Sequence, residues 1–171
     1  MTPARPLVAL AAALALAGCG VNPVTGKKEV QFISETQEIA IGQRHYAPTR
    51  QGEGGDYVLL PELTAYVSEV GRKLAAVAER PLPYEFVVLN SSTPNAWALP
   101  GGKIAVNRGL LTTLENEAEL AAVLGHEIVH AAARHGAKAQ ERGTLLQAGM
   151  MVTAVGVSAA GVDPNLGNLV V

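Results

Sequence analysis

Apolar and polar residues alternate along this chain with two periods, which predicts helices mixed with short strands. Leu63, Val67, Val70, Leu74 and Val77 recur at intervals of three and four and form one stripe of a helix that begins at Pro61. Pro81-Leu82-Pro83 stops it. Upstream, Ser34 followed by Gln37 and Glu38 opens a helix through about His45, with Ser34 as N-cap. Pro48, Gly52, Gly54, Gly55 and Asp56 then predict a loop from Ala47 to Tyr57. Tyr84 to Leu89 reads as a strand and Asn90 to Asn95 as a turn. Ala96–Leu99 and Lys103–Val106 read as two strands around the tight turn Pro100-Gly101-Gly102. Asn107 caps a short helix through Leu114. Asn116 with Glu119 opens a longer one from about Glu117 to Arg134, and Gly136 is placed to end it. The fold class is therefore α+β, helices packed on a small sheet or hairpin.

Both ends carry apolar stretches of a different kind. Leu7 to Ala17 is an unbroken run of Leu, Val and Ala after a start bearing Arg5, the pattern of a secretory signal peptide over residues 1–18. It is too short for a good transmembrane helix. Leu16-Ala17-Gly18-Cys19 resembles a bacterial lipobox, which implies lipidation of Cys19 as the first mature residue. Gly20 after it resembles the sorting signal of lipoproteins bound for the outer membrane. Residues 19–33 are expected as a tether, with no fixed structure in their first part, and 34–171 as the folded domain. Thr144 to Val162 carries no charge and raises the question of a membrane span. Gln147, Gly149, Gly156, Gly161 and many small residues favour a helix packed on protein instead.

Composition removes several functions. The 171 residues suffice for one real core. A formal charge of −2 with no basic run leaves nothing for nucleic acid to bind. Cys19 is the one cysteine, so no intrachain disulfide can form.

The candidate chemistry lies in His126-Glu127-Ile128-Val129-His130. Positions four apart on a helix differ by about 40° after one full turn, so His126 and His130 share a face. Two neutral imidazoles there can hold one Zn²⁺ at about 2.0–2.1 Å. Glu127 flanks the metal position without replacing a ligand, as a general base for an attacking water. The apolar flanks Leu120, Val123, Leu124, Ile128 and Val129 predict a core helix, in which unpaired His and Glu on inner faces would be costly. His135 does not fit a third-ligand spacing and is expected near the negative end of that helix. His45 is expected to be structural or exposed.

Three segments carry a resemblance: Asn95-Ala96-Trp97-Ala98-Leu99-Pro100-Gly101-Gly102, Val106-Asn107-Arg108-Gly109-Leu110-Leu111, and Glu119 through His130. Together they resemble the HtpX/BepA/LoiP family of zinc metallopeptidases. Asn22-Pro23-Val24-Thr25-Gly26 and Ser34-Glu35-Thr36-Gln37-Glu38 resemble its periplasmic lipoprotein branch. The resemblance implies a zincin-like fold with the motif helix at its centre and one Zn²⁺ held by His126, His130 and a Glu from a later helix. It implies a bacterial periplasmic endopeptidase, lipid-anchored to the outer membrane through Cys19, that clears misfolded or misassembled envelope proteins. Asn95, Ala96 and Trp97 fall in the family's substrate-binding edge strand, and a purely structural hairpin is the alternative.

One departure matters. The family's third ligand lies in a Glu-x-x-x-Asp segment beyond the motif, and none occurs before Val171. Glu141 and Asp163, the acidic residues after His130, do not take its place. The chain is thus expected to be the N-terminal part of a metallopeptidase domain. The competing expectation is an inactive lipoprotein that binds or chaperones envelope proteins.

Overall fold

The computed structural model describes residues 19–159, with side chains described for residues 20–151. The expected leader, residues 1–18, and Asp163 lie outside the described residues. Helices and small sheets are mixed, as the α+β expectation holds.

The chain opens with two short strands, β1 (Cys19–Val21) and β2 (Lys28–Val30), paired antiparallel with Cys19 opposite Val30. This corrects the expectation of an unstructured first tether segment. The cause is Asn22, which is fully buried. Its Oδ1 accepts from the Val24 and Thr25 amides at 3.0 and 2.9 Å, closing a turn. Its Nδ2 donates to Ala133 O at 3.0 Å, 111 residues along the chain.

Helix α1 (Glu35–Gly52) begins as expected, with a complete capping box between Ser34 and Gln37. It ends later than expected, running through Pro48. Proline inside a helix costs ~3 kcal/mol, and packing beyond the sequence window offsets it. Tyr46 is buried, Arg50 lies 4.7 Å over the Tyr46 ring, and Arg50 pairs with Asp56. The loop starts only afterwards, at Gly54 and Gly55, both with positive φ.

Helix α2 (Pro61–Ala75) buries Val67 and Val70, with Leu63 and Leu74 packed beside them. Val77, the last position of the predicted stripe, lies past the helix end and is 83% exposed. Strands β3 (Glu85–Leu89), β4 (Ala96–Leu99) and β5 (Lys103–Asn107) form a sheet of order β3-β5-β4. β4 and β5 are the expected hairpin, and β3 joins β5 in parallel. Gly101 and Gly102 make the turn with φ of 76° and 86°. Helix α1 comes so close to this turn that a Cβ on Gly42 would lie 1.8 Å from Pro100 O.

A single turn of helix, α3 (Arg108–Leu111), then leads to α4 (Glu117–Ala132). Asn107 stands at the N-cap of α3 but makes no capping bond, and its Nδ2 donates to Glu53 instead. The Asn116 cap of α4 is as expected, with Oδ1 accepting from the Glu119 amide at 3.1 Å. Leu120, Leu124 and Ile128 of α4 meet Val67, Val70, Phe86, Val88, Ile104 and Val106 in one core. Lys103, on the alternate face of β5, approaches the Tyr46 ring of α1. The sheet therefore has α2 and α4 on one face and α1 on the other.

α4 stops at Ala132, two residues before the predicted end, and α5 (His135–Ala159) starts at once. Gly136 lies inside α5 and ends nothing. The break is Arg134, the one non-glycine residue with positive φ (61°) among the described residues. That conformation costs about 1–2 kcal/mol and persists only where the surroundings hold it. Here Arg134 Nε donates to Glu38 at 3.1 Å, and its Nη2 donates to Ile33 O. The chain divides into two compact units after Ala137. The second contains the rest of α5, which carries the uncharged stretch in helical form as far as Ala159; residues 160–162 lie outside the described residues. No helix among the described residues is long and apolar enough to cross a membrane.

Glu38 is completely buried between Arg80 and Arg134. Arg80 donates Nη1 and Nη2 to its two oxygens at 3.2 and 3.1 Å. Burial works against the Arg80 charge, but hydrogen bonds to Glu38 and Glu35 outweigh it and raise its pKa. Glu38→Ala will lower the unfolding free energy by about 3–5 kcal/mol in urea titration, because it removes the buried carboxylate that Arg80 and Arg134 share. Glu35→Ala, removing a partner that is 62% exposed, will cost less than about 1 kcal/mol. Equal losses would contradict the distinction.

Candidate metal and catalytic site

The motif falls wholly within α4. Leu120, Leu124 and Ile128 turn one side of this helix into the core. Rotation by about 100° per residue then carries His126 to the other side and leaves Glu127 and His130 on the flank between. His126 is exposed, and Glu127 and His130 are half-buried. Val129 is 41% exposed. This corrects the picture of His and Glu on inner faces of a buried helix: the site opens to solvent.

His126 and His130 come together as their spacing predicts. Their Nε2 atoms are 3.0 Å apart and their ring centroids 4.6 Å apart. Two nitrogens bonded to one tetrahedral zinc at about 2.0–2.1 Å lie ~3.3 Å from each other. The two nitrogens are thus placed about as two ligands of one ion would be, on the solvent side of α4, and the donor set fits half of a tetrahedral site. Among the described residues, no third His, Cys, Asp or Glu joins them in a group able to hold a metal.

His135 lies just past the C-terminal end of α4, as its position predicts, and opens α5. Its Nδ1 is 3.0 Å from Nδ1 of His130, with the two rings edge-on at 84°. It thus meets the ring edge of His130 that faces away from His126. His45 is exposed.

The predicted substrate-binding residues lie along the outer strand. Ala96 and Trp97 sit on β4, opposite Val106 and Ala105 of β5, and β4 has β5 as its one neighbour in the sheet among the described residues. Asn95 is exposed, and its carbonyl accepts from the Asn107 amide at 2.9 Å. Ala98 and Ala96 pack towards the core shared with α4. Trp97 turns to the opposite face, edge-on to Tyr46 at 6.3 Å. Cys19 contributes its backbone to β1.

Residues 61–170, more than half of the chain, match the family model of peptidase family M48. The chain belongs to peptidase family M48. M48 peptidases are metal-dependent, usually with zinc. This M48 chain is 37% identical to the mitochondrial metalloendopeptidase OMA1 of Schizosaccharomyces pombe over 119 residues, covering 68% of this chain and 35% of that protein. It is 34% identical to the beta-barrel assembly-enhancing protease of Yersinia pestis, covering 70% of this chain and 24% of the relative. The Escherichia coli protein of the same name is 32% identical over the same shares. The chain thus spans about a quarter to a third of these relatives' length.

Sequence reasoning missed the residues that brace the site. Asn22 ties the first turn to Ala133, and Glu38 ties α1 to Arg134 just after α4. Glu38 was legible only as a first-turn acid of α1. Nothing local to it signals partners 42 and 96 residues away.

Tyr46, which carries the packing of Trp97, is held neutral by burial, its pKa pushed up to about 12. Its hydroxyl is buried without a hydrogen-bond partner. An ordinary tyrosine titrates near 10, so between pH 10 and 12 the unfolded chain releases a proton that the folded one retains. Stability against urea will therefore fall across that window, and Tyr46→Phe will remove part of the fall. An unchanged pH dependence in Tyr46→Phe would contradict the assignment.

Proposed function

We propose that this M48 chain is the site-bearing part of a zinc-dependent endopeptidase of the bacterial cell envelope, acting on misfolded or misassembled proteins. The observation that carries the reading is the convergence of His126 Nε2 and His130 Nε2 at 3.0 Å on the solvent side of α4. The names of the relatives, a metalloendopeptidase and an assembly-enhancing protease, support the reaction class and the setting. The fold is read as zincin-like, with α4 as the active-site helix.

His126 and His130 would hold the ion, and a carboxylate outside the described residues would complete its protein ligands. When bound, zinc supplies Lewis acidity to the scissile carbonyl and the attacking water. Glu127, next to the first ligand on α4, takes the proton from that water and returns it to the leaving amine. Edge strand β4, with Asn95, Ala96 and Trp97, offers backbone groups to which an extended substrate can add as a further strand. That mode selects unfolded chain over folded protein, as a quality-control peptidase requires.

Cys19 is the proposed lipid attachment point, placing the protein in the periplasm at the outer membrane. Three residues of extended chain reach about 10 Å, and Asn22, three residues on, is bonded to Ala133. The anchor would then hold the end of α4 close to the membrane surface.

A second reading, an inactive lipoprotein that binds envelope proteins, draws on the lack of a third metal-holding residue among the described ones. One experiment separates them. The full-length protein is assayed on an unfolded casein substrate, alone, with a chelator, and as Glu127→Gln. Glu127→Gln will retain zinc and lose about 10²–10⁴-fold in kcat/KM, the usual contribution of a general acid–base. Equal cleavage by Glu127→Gln, or full activity in chelator, would defeat the peptidase reading.

A further inference from the structure

We propose that His135 is the positioning residue of the metal site, fixing His130 in the tautomer that presents Nε2 to the ion. The inference rests on the zinc site at His126 and His130 and adds a role for a third histidine.

Two ring nitrogens 3.0 Å apart, as in the Nδ1–Nδ1 contact of His130 and His135, form a hydrogen bond only if one carries the proton and the other the lone pair. In a neutral imidazole the two nitrogens have opposite roles. For Nε2 of His130 to offer its lone pair beside Nε2 of His126, Nδ1 of His130 must hold the proton. It then donates to Nδ1 of His135, and His135 carries its own proton on Nε2. Histidines that ligate metals commonly donate their other N–H in this way, which sets both ring rotation and ligand strength. The partner is usually a carboxylate or a carbonyl; here it is an imidazole.

The same geometry separates His135 from a ligand role. It meets His130 at Nδ1, while the nitrogens facing each other across the metal position are Nε2 atoms. One imidazole ring stands between His135 and that position.

The placement of His135 is built into the backbone. The turn from α4 to α5 uses the left-handed conformation of Arg134, and His135 follows it directly. Arg134 is fixed by Glu38 and by the Ile33 carbonyl. The residue before it, Ala133, accepts from Asn22. The left-handed residue interrupts the helix just where His135 meets His130 in the last turn of α4. The buried bracing is thus spent on the position of one exposed imidazole.

The test uses the full-length protein with ¹⁵N-labelled histidine, wild type beside His135→Ala and His135→Asn. Asn can accept the His130 N–H through its side-chain oxygen; Ala cannot. In the metal-free wild type, the long-range ¹H–¹⁵N spectrum will show His130 protonated at Nδ1. His135→Ala will lose that preference, and His135→Asn will keep it. Zinc affinity, read by competition with a chromophoric chelator, will fall about 10–100-fold in His135→Ala and recover in His135→Asn. Circular dichroism of the three proteins controls for folding. The proposal is overturned if His130 carries its proton on Nε2 in the wild type, if His135→Ala leaves tautomer and affinity unchanged, or if Ala and Asn lose affinity equally. A wild type that binds no zinc would defeat the metal-site reading, while the tautomer comparison would still decide the role of His135.

Discussion

The carboxylate of Glu38, shut away from water between two guanidinium groups, is the contact on which the site's geometry depends. It joins three parts of the chain that no local rule connects: the start of α1, the Arg80 segment before β3, and the turn after α4. Desolvating such a group costs several kcal/mol, and only multiple well-formed hydrogen bonds offset that cost. Glu38 has them: both oxygens are used, by Arg80 twice and by Arg134 once. What the cluster secures is less net stability than a defined conformation, the left-handed Arg134 that separates α4 from α5.

That division between a braced base and an open face explains how the motif helix works. Leu120, Leu124 and Ile128 anchor α4 in the core by hydrophobic burial, which is strong but does not specify direction. The directional contacts lie at its end, where Asn22 bonds Ala133 and Glu38 bonds Arg134. The polar residues of the motif are left at the surface, where a substrate chain and a metal ion can reach them. The N-terminal segment belongs to this bracing. It is a folded hairpin tied to α4, so an anchor at Cys19 would act through a short, structured link.

Much of this was legible from sequence, and the failures share a cause. The caps at Ser34 and Asn116, the Pro100-Gly101-Gly102 hairpin and the shared face of His126 and His130 all follow from residues within one or two turns of each other. The parallel pairing of β3 with β5 and the continuation of α1 through Pro48 depend on partners far along the chain. The exposure of His126 was misjudged because the apolar flanks, Val123 and Val129 among them, suggested a core helix, whereas burial follows Leu120, Leu124, Ile128, Ala131 and Ala132. The sequence placed the end of α4 to within two residues, but on the wrong signal: Gly136 lies inside the next helix, and the break is the left-handed Arg134. The alanines before it favour helix, and the contacts of Glu38 and Asn22 explain where α4 stops.

The central claim is that His126 and His130 bind one zinc ion through their imidazoles. X-ray absorption at the zinc edge of the full-length, zinc-loaded protein tests it directly. The account predicts a shell of nitrogen and oxygen at about 2.0–2.1 Å with the outer scattering of two imidazole rings, reduced to one ring in His126→Ala. A wild-type spectrum without imidazole scattering, or one that His126→Ala leaves unchanged, would contradict it.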